Sequence, residues 1–204
     1  MNTTAIILAG GKSSRMGTNK ALLQLNGRTV IEGIVEKLEN IVDEIIIVTN
    51  TFEDYAFLHL PMIEDKRKGM GPLAGMEAGL AATKTERNLI VACDMPFISE
   101  ELGQYLLSCL GEYQGAVPEI SGQLHPLFAA YRKDVNEAVT QSLQENQLRI
   151  RHFLHHIHVK IVKRELLQLL EIDNEELYFF NMNNPDEYHK ASNMLKDIGG
   201  GDER

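Results

Sequence analysis

The chain has 204 residues, 44% of them hydrophobic, enough for one continuous core. Its formal charge is −9, from 20 Lys and Arg against 29 Asp and Glu, which excludes a duplex nucleic-acid binder that needs a basic face. Two cysteines, Cys93 and Cys109, are too few for a disulfide framework, and no apolar run approaches the ~18 residues of a membrane span.

In chain order, Thr4–Ala9 reads as a buried strand, since aliphatic and β-branched residues follow one another without polar alternation. Thr29–Glu39 carries Val30, Ile31, Ile34, Val35 and Leu38 at helical spacing. Glu44–Thr49 is a second buried strand. Pro72–Ala82 is a helix with proline in its first turn, and Asn88–Ala92 a third strand. Ser99–Leu110 is a helix with Ser99 as N-cap and two glutamates in its first turn. Beyond this the pattern loosens. Gln123–Tyr131 reads as a strand that Pro126 confines to an edge or a bulge. Lys133–Gln144 is a helix, Ile157–Val162 a short strand, Leu177–Asn181 another strand and Pro185–Leu195 a helix. The N-terminus carries no basic segment leading into a long apolar one, so a leader is not expected, and the protein is expected in the cytoplasm.

Strands alternating with helices predict an α/β fold with a mostly parallel, doubly wound sheet. One domain is expected over 1–198, with a nucleotide-binding half to about 112, an acceptor-binding half over 113–198, and a frayed tail at 199–204. In such sheets ligands bind beyond the carboxyl ends of the strands. Three segments stand there: Gly10–Lys20, Asn50–Gly75 and Cys93–Phe97.

The first, LAGGKSSRMGTNK, combines Gly10 and Gly11, which let backbone amides approach an anion, with Arg15 and Lys20, which can bind phosphate oxygens. It is neither a Walker A motif nor GxGxxG. In the second, Asp65 follows a short apolar stretch and can accept from a base or ribose, while Lys66, Arg67 and Lys68 read as solvated loop charges. In the third, Asp94 lies just past a buried strand. A carboxylate there, facing a glycine-rich phosphate loop, suits Mg²⁺ bridging phosphate oxygens, although a turn-forming Asp before Met-Pro reads as well. Cys93 reads as a small buried residue. The run with His152, His155, His156 and His158 invites a metal, but lacks a carboxylate companion and straddles a helix–strand junction. Asn-Pro-Asp near Asn183 and Asp186 is a good helix start, and Asn183 at a strand's end is the candidate for reaching the site. His125 and Arg149–Arg151 are guesses for the acceptor side.

Five segments in order closely resemble the molybdenum cofactor guanylyltransferases, the MobA family: Leu8–Lys20, Ile63–Asp65 with Gly71–Gly75, Cys93–Phe97, His125–Ala129 and Asn181–Glu187. The resemblance extends to about Lys196. It implies a Rossmann-like nucleotidyltransferase fold and transfer of GMP from GTP to molybdopterin, giving the guanine dinucleotide cofactor and pyrophosphate. It implies that Leu8, Ala9, Gly10 and Gly11 contact nucleotide, that Arg15 and Lys20 serve the phosphates, that Asp65 serves the guanosine, and that Asp94 serves GTP and Mg²⁺. Related cytidylyltransferases resemble LAAG where this chain has LAGG, which favours guanine. Asn184 stands where the family often has threonine, which bears on Asn183. Molybdenum-insertion proteins and molybdoenzyme chaperones are the partners the resemblance suggests, with no nucleic acid and no membrane. The alternatives are another nucleotidyltransferase, of cytidylyl or sugar-phosphate type, and a GTP-binding maturation factor without catalysis.

Overall fold

A computed structural model describes residues 2–10, 19–169 and 175–199. The ten strands are β1 (Thr3–Leu8), β2 (Gln24–Leu25), β3 (Arg28–Thr29), β4 (Glu44–Val48), β5 (Met62–Ile63), β6 (Arg87–Ala92), β7 (Gly115–Ile120), β8 (Gln123–Leu124), β9 (Phe128–Arg132) and β10 (Val159–Lys163), counted among the described residues. The α-helices are α1 (Val30–Glu39), α2 (Phe52–Tyr55), α3 (Pro72–Ala82), α4 (Glu100–Ser108), α5 (Asn136–Gln144), α6 (Ile150–Leu154), α7 (Arg164–Leu169), α8 (Glu175–Tyr178) and α9 (Pro185–Gly199). The main sheet runs β10-β7-β9-β6-β1-β4-β5, with β8 beside β7. Within this sheet all pairings are parallel except those of β9 and β8, so the α/β, mostly parallel expectation holds.

The unbroken aliphatic strands feed two cores. Along β1, Ala5 and Ile7 face one, while Ile6 and Leu8 face the other; Leu89 and Val91 against Ile90 divide β6 likewise. This is the period-two alternation of a sheet covered on both faces. Helices α1, α4 and the C-terminal segment bury their apolar residues on the first face, α3, α5 and α6 on the second. Helix α1 begins at a capping box in which Thr29 and Glu32 satisfy each other's backbone amides. Ser99 caps α4, its Oγ accepting from the Leu102 amide at 3.1 Å. Helix α3 lies unusually close to the sheet: a Cβ on Gly79 would stand 2.3 Å from Ile6 Cγ2, so only glycine fits there.

Three features depart from the sequence reading. The segment Leu177–Asn181 is not a strand. Its first residues close α8, and Phe179 and Met182 turn into the core beneath the sheet's carboxyl edge instead of joining a ladder. Gln123–Tyr131 is two strands rather than one edge strand. Pro126 lies in the turn between β8 and β9, and β9 is interior, paired with β6 and β7. Strand β7 (GAVPEI) was not anticipated, because it contains both a glycine and a proline. Pro118 is tolerated since its carbonyl faces the turn, accepting from the His125 amide at 2.9 Å, where the β9 ladder has ended and the β8 ladder has not begun. The other elements lie within a few residues of expectation, and a hairpin β2–β3 turning at Asn26 and Gly27, both at positive φ, adds to them. Of the expected tail, residues 200–204 lie outside the described residues.

Candidate functional site

The sheet register fixes where the candidate residues converge. Leu8 pairs with Val48 on one side and Ala92 on the other, and Val48 pairs with Ile63. Gly10, Asn50, Asp65 and Asp94 each follow that row by two residues. They leave the same edge of the sheet, Asp94 from the strand next to that of Gly10 and Asp65 from a strand two places away on the other side. The Ala9 amide donates to the Val48 carbonyl (2.9 Å) and the Cys93 amide to the Leu8 carbonyl (3.2 Å), so the pairing carries past the strand ends into the loops.

Lys20 opens a short 3₁₀ turn capped by Asn19, whose Oδ1 accepts from the Ala21 amide at 3.2 Å. The Lys20 ammonium donates to Asn183 Oδ1 at 3.1 Å, which brings the distant C-terminal segment to the loop that follows β1. The same segment is held at Asp94, whose carbonyl accepts from the Met182 amide at 2.9 Å. Asn183 and Asp94 are therefore on one side of the edge with Lys20. Asn184 caps α9: its Oδ1 accepts from the Glu187 amide at 2.9 Å, and the Glu187 carboxylate accepts from the Asn183 amide. An asparagine performs this capping as a threonine would, so the departure at Asn184 leaves Asn183 in place.

Burial pushes the Asp94 carboxyl above the ordinary carboxylate range; the nearby Lys20 charge opposes that rise and Glu187 adds to it. A carboxylate held in this way gains from a cation. Mg²⁺ is typically bound by one or two carboxylates together with substrate phosphates, and one desolvated carboxylate beside a lysine ammonium fits that donor set. Burial, with Asp94 alongside, pushes the Cys93 thiol up to about 12, so it is no nucleophile.

Asp65 is oriented rather than free. Its Oδ1 accepts from the Arg67 amide at 2.7 Å, and the Arg67 guanidinium makes a bidentate pair with Glu77 on α3, at 2.7 and 3.1 Å. Thr140 on α5 donates to the same Glu77 at 2.9 Å. Arg67 is thus an anchor and not the solvated loop charge its setting suggested; Lys66 and Lys68 are exposed. Gly71, at φ 71°, starts α3 where the chain turns into the helix.

The structure brings together Leu8, Ala9, Gly10, Lys20, Asp94 and Asn183, with Asp65 further along the same edge. Gly11 and Arg15 lie outside the described residues. His125 is close by, since the Leu127 carbonyl accepts from the Ala92 amide at 2.8 Å; its ring lies 4.2 Å from Phe179, and burial holds the imidazole below its ordinary pKa. Arg149 and Arg151 are exposed at the start of α6. In the histidine run, His152 and His156 stack at 5.2 Å and His158 packs on Tyr113 at 4.7 Å; among the described residues no group of three or more His, Cys, Asp or Glu is arranged to hold a metal. The sequence reading missed Tyr55, Asn19, Arg67 and Glu77. Each acts through a contact 10 or more positions away, which no local pattern announces.

Residues 5–161 match the model of the MobA-like NTP transferase domain. A protein named probable molybdenum cofactor guanylyltransferase from Carboxydothermus hydrogenoformans is 40% identical over 189 residues, covering 93% of this chain and 94% of that protein. One of the same name from Pelotomaculum thermopropionicum is 36% identical, covering 96% and 95%. The crystal structure of molybdopterin-guanine dinucleotide biosynthesis protein A from Archaeoglobus fulgidus superposes with a TM-score of 0.80 at 24% identity, over 95% of this chain and 99% of that one. At that identity the likeness is one of fold.

Proposed function

The chain belongs to the MobA-like NTP transferase family, and on that premise we propose that it transfers GMP from GTP to molybdopterin, releasing pyrophosphate. The observation that carries this is the convergence of Lys20, Asn183 and Asp94 on the edge where Leu8, Ala9 and Gly10 leave the sheet. The relatives' shared name supplies guanine and molybdopterin.

Both reactants are anions, so the tasks are alignment and charge neutralisation, not covalent catalysis. Backbone amides from Gly10 onward receive phosphate oxygens, and Lys20 supplies a charge that Asn183 aims. Asp65, fixed by its turn, accepts from the guanosine part. Asp94 would hold Mg²⁺, which supplies charge neutralisation across the phosphates when bound. The terminal phosphate of molybdopterin attacks the α-phosphorus in line, the bond to the bridging oxygen breaks, and pyrophosphate leaves. An ionised phosphate needs no general base, which suits a site where Cys93 stays a thiol and the half-buried His125 stays neutral.

We place the reaction in the cytoplasm, with molybdenum-insertion proteins and molybdoenzyme chaperones as partners. Both cysteines are free, and no helix among the described residues is long and apolar enough to cross a membrane. The test is pyrophosphate release from Mg²⁺–GTP with and without molybdopterin. Acceptor-dependent release is expected. Tight GTP binding with no release under either condition would contradict transfer and leave a binding role.

A further inference from the structure

Tyr55, the last residue of α2, is among the most buried large side chains, with 1% of its surface exposed. Its hydroxyl meets both ends of the stretch between β1 and Lys20. It accepts from Asn19 Nδ2 at 2.9 Å, and its one proton faces the Ala9 carbonyl at 3.3 Å and Asn19 Oδ1, which already accepts from the Ala21 amide, at 3.2 Å. The proton count is consistent throughout. A phenol has one proton to give, and giving it to Ala9 leaves the oxygen to accept from Asn19. The other Asn19 amide hydrogen reaches Asp54 at 3.2 Å, and Asn19 Oδ1 remains to cap the 3₁₀ turn through the Ala21 amide. One hydroxyl therefore ties the residue that follows β1 to the residue that sets the turn carrying Lys20.

We propose that Tyr55 is a positioning residue, whose hydroxyl clips Ala9 to Asn19 and thereby holds Lys20 where it meets the transferred phosphate. The inference rests on Lys20 serving phosphate in the proposed reaction. Tyr55 does its work through Asn19 and touches no substrate. Phenylalanine would fill the same space and keep α2 packed, so the hydroxyl is kept for its hydrogen bonds. Burial pushes the phenol well above its ordinary pKa, so it stays a donor across the working range.

The experiment is a double-mutant cycle on the full chain, with GTP, Mg²⁺ and molybdopterin. Tyr55→Phe is expected to lower kcat about tenfold, the equivalent of one hydrogen bond lost from preorganisation, with the KM for GTP little changed. In the Lys20→Ala background the same substitution is expected to cost nothing more, because the group it positions is gone. Asn19→Ala, which leaves the core intact, should reproduce both results. An equal loss of activity in both backgrounds would make Tyr55 merely structural and overturn the proposal, as would an unchanged kcat in Tyr55→Phe. Amide hydrogen exchange without ligand reads the clip independently of turnover: residues 20–23 should exchange faster in Tyr55→Phe while β1 and β4 stay protected. Unchanged exchange at 20–23 overturns the clip. A wild type that transfers no GMP, with faster exchange in the variant, overturns the proposed reaction and leaves the clip standing.

Discussion

The two ends of β1 and β6 treat buried polar groups in opposite ways. At the amino ends, Thr4, Thr83, Thr85 and Asn88 are all buried and bonded to one another at 2.8–3.2 Å: Thr83 donates to Thr4, Thr85 donates to Asn88 or to the Arg87 carbonyl, and Thr4 then donates to Thr85. Lys133 adds its ammonium to the Thr83 carbonyl at 2.6 Å. No side chain in this cluster of four is charged. At the carboxyl ends of the same strands, Asp94 is desolvated beside Lys20 and pushed away from its charged form. The same sheet thus ends in a closed neutral network at one edge and a poised, incompletely compensated pair at the other. Unfavourable electrostatics in the protein alone are what the proposed reaction would have its ligands complete at this edge.

The contrast yields predictions that differ in kind. The largest effect is expected at Asp94. Asp94→Asn should lower turnover by about 10³-fold or more, as losing a metal-holding carboxylate does, while melting a few degrees higher at neutral pH. The sign follows from the raised pKa. The wild-type carboxylate is disfavoured in the folded state above its folded pKa, and that cost vanishes below the unfolded value of about 4, where both states are protonated. The stabilisation by asparagine should therefore fade as pH falls, which parallel melting curves would show. Lys20→Ala should lower kcat by about 10²-fold, the effect of removing one preorganised charge, read by steady-state kinetics. At the other edge Thr85→Val should behave oppositely, lowering unfolding free energy by about 1–3 kcal/mol in urea titrations with kinetic constants intact, because it strands the partners of a closed network. The smallest effect belongs to Arg67→Ala, which frees the loop bearing Asp65. It should raise the KM for GTP about tenfold with kcat nearly unchanged, one charged hydrogen-bonded pair acting on ground-state binding.

What could be read in advance follows the same division. Strands β1, β4 and β6 declare themselves because both faces are covered and an unbroken aliphatic run follows their first one or two residues. Asp94 could be placed because it sits two residues past such a strand. Strand β7 and the segment after α8 were misread because their state is set by neighbours. Pro118 survives in a strand only because a turn opposes it, and Phe179 has strand-like residues around it but packs as a wedge on His125 and Phe128. Asn183 was named for the end of a strand that does not form; its position beside Lys20 is held by Met182 on Asp94 and Lys20 on Asn183, not by a ladder. Tyr55 and Arg67 carried no local signal at all.

The most direct measurement is a single-turnover assay of molybdopterin with Mg²⁺ and α-labelled GTP, CTP or UTP in turn, following label into the dinucleotide product. Label should pass from GTP to the acceptor with one pyrophosphate released per transfer, and little should pass from CTP or UTP. Transfer from CTP in preference to GTP, or retention of all label in GTP despite saturating acceptor, would contradict the assignment of this edge as a guanylyl-transfer site.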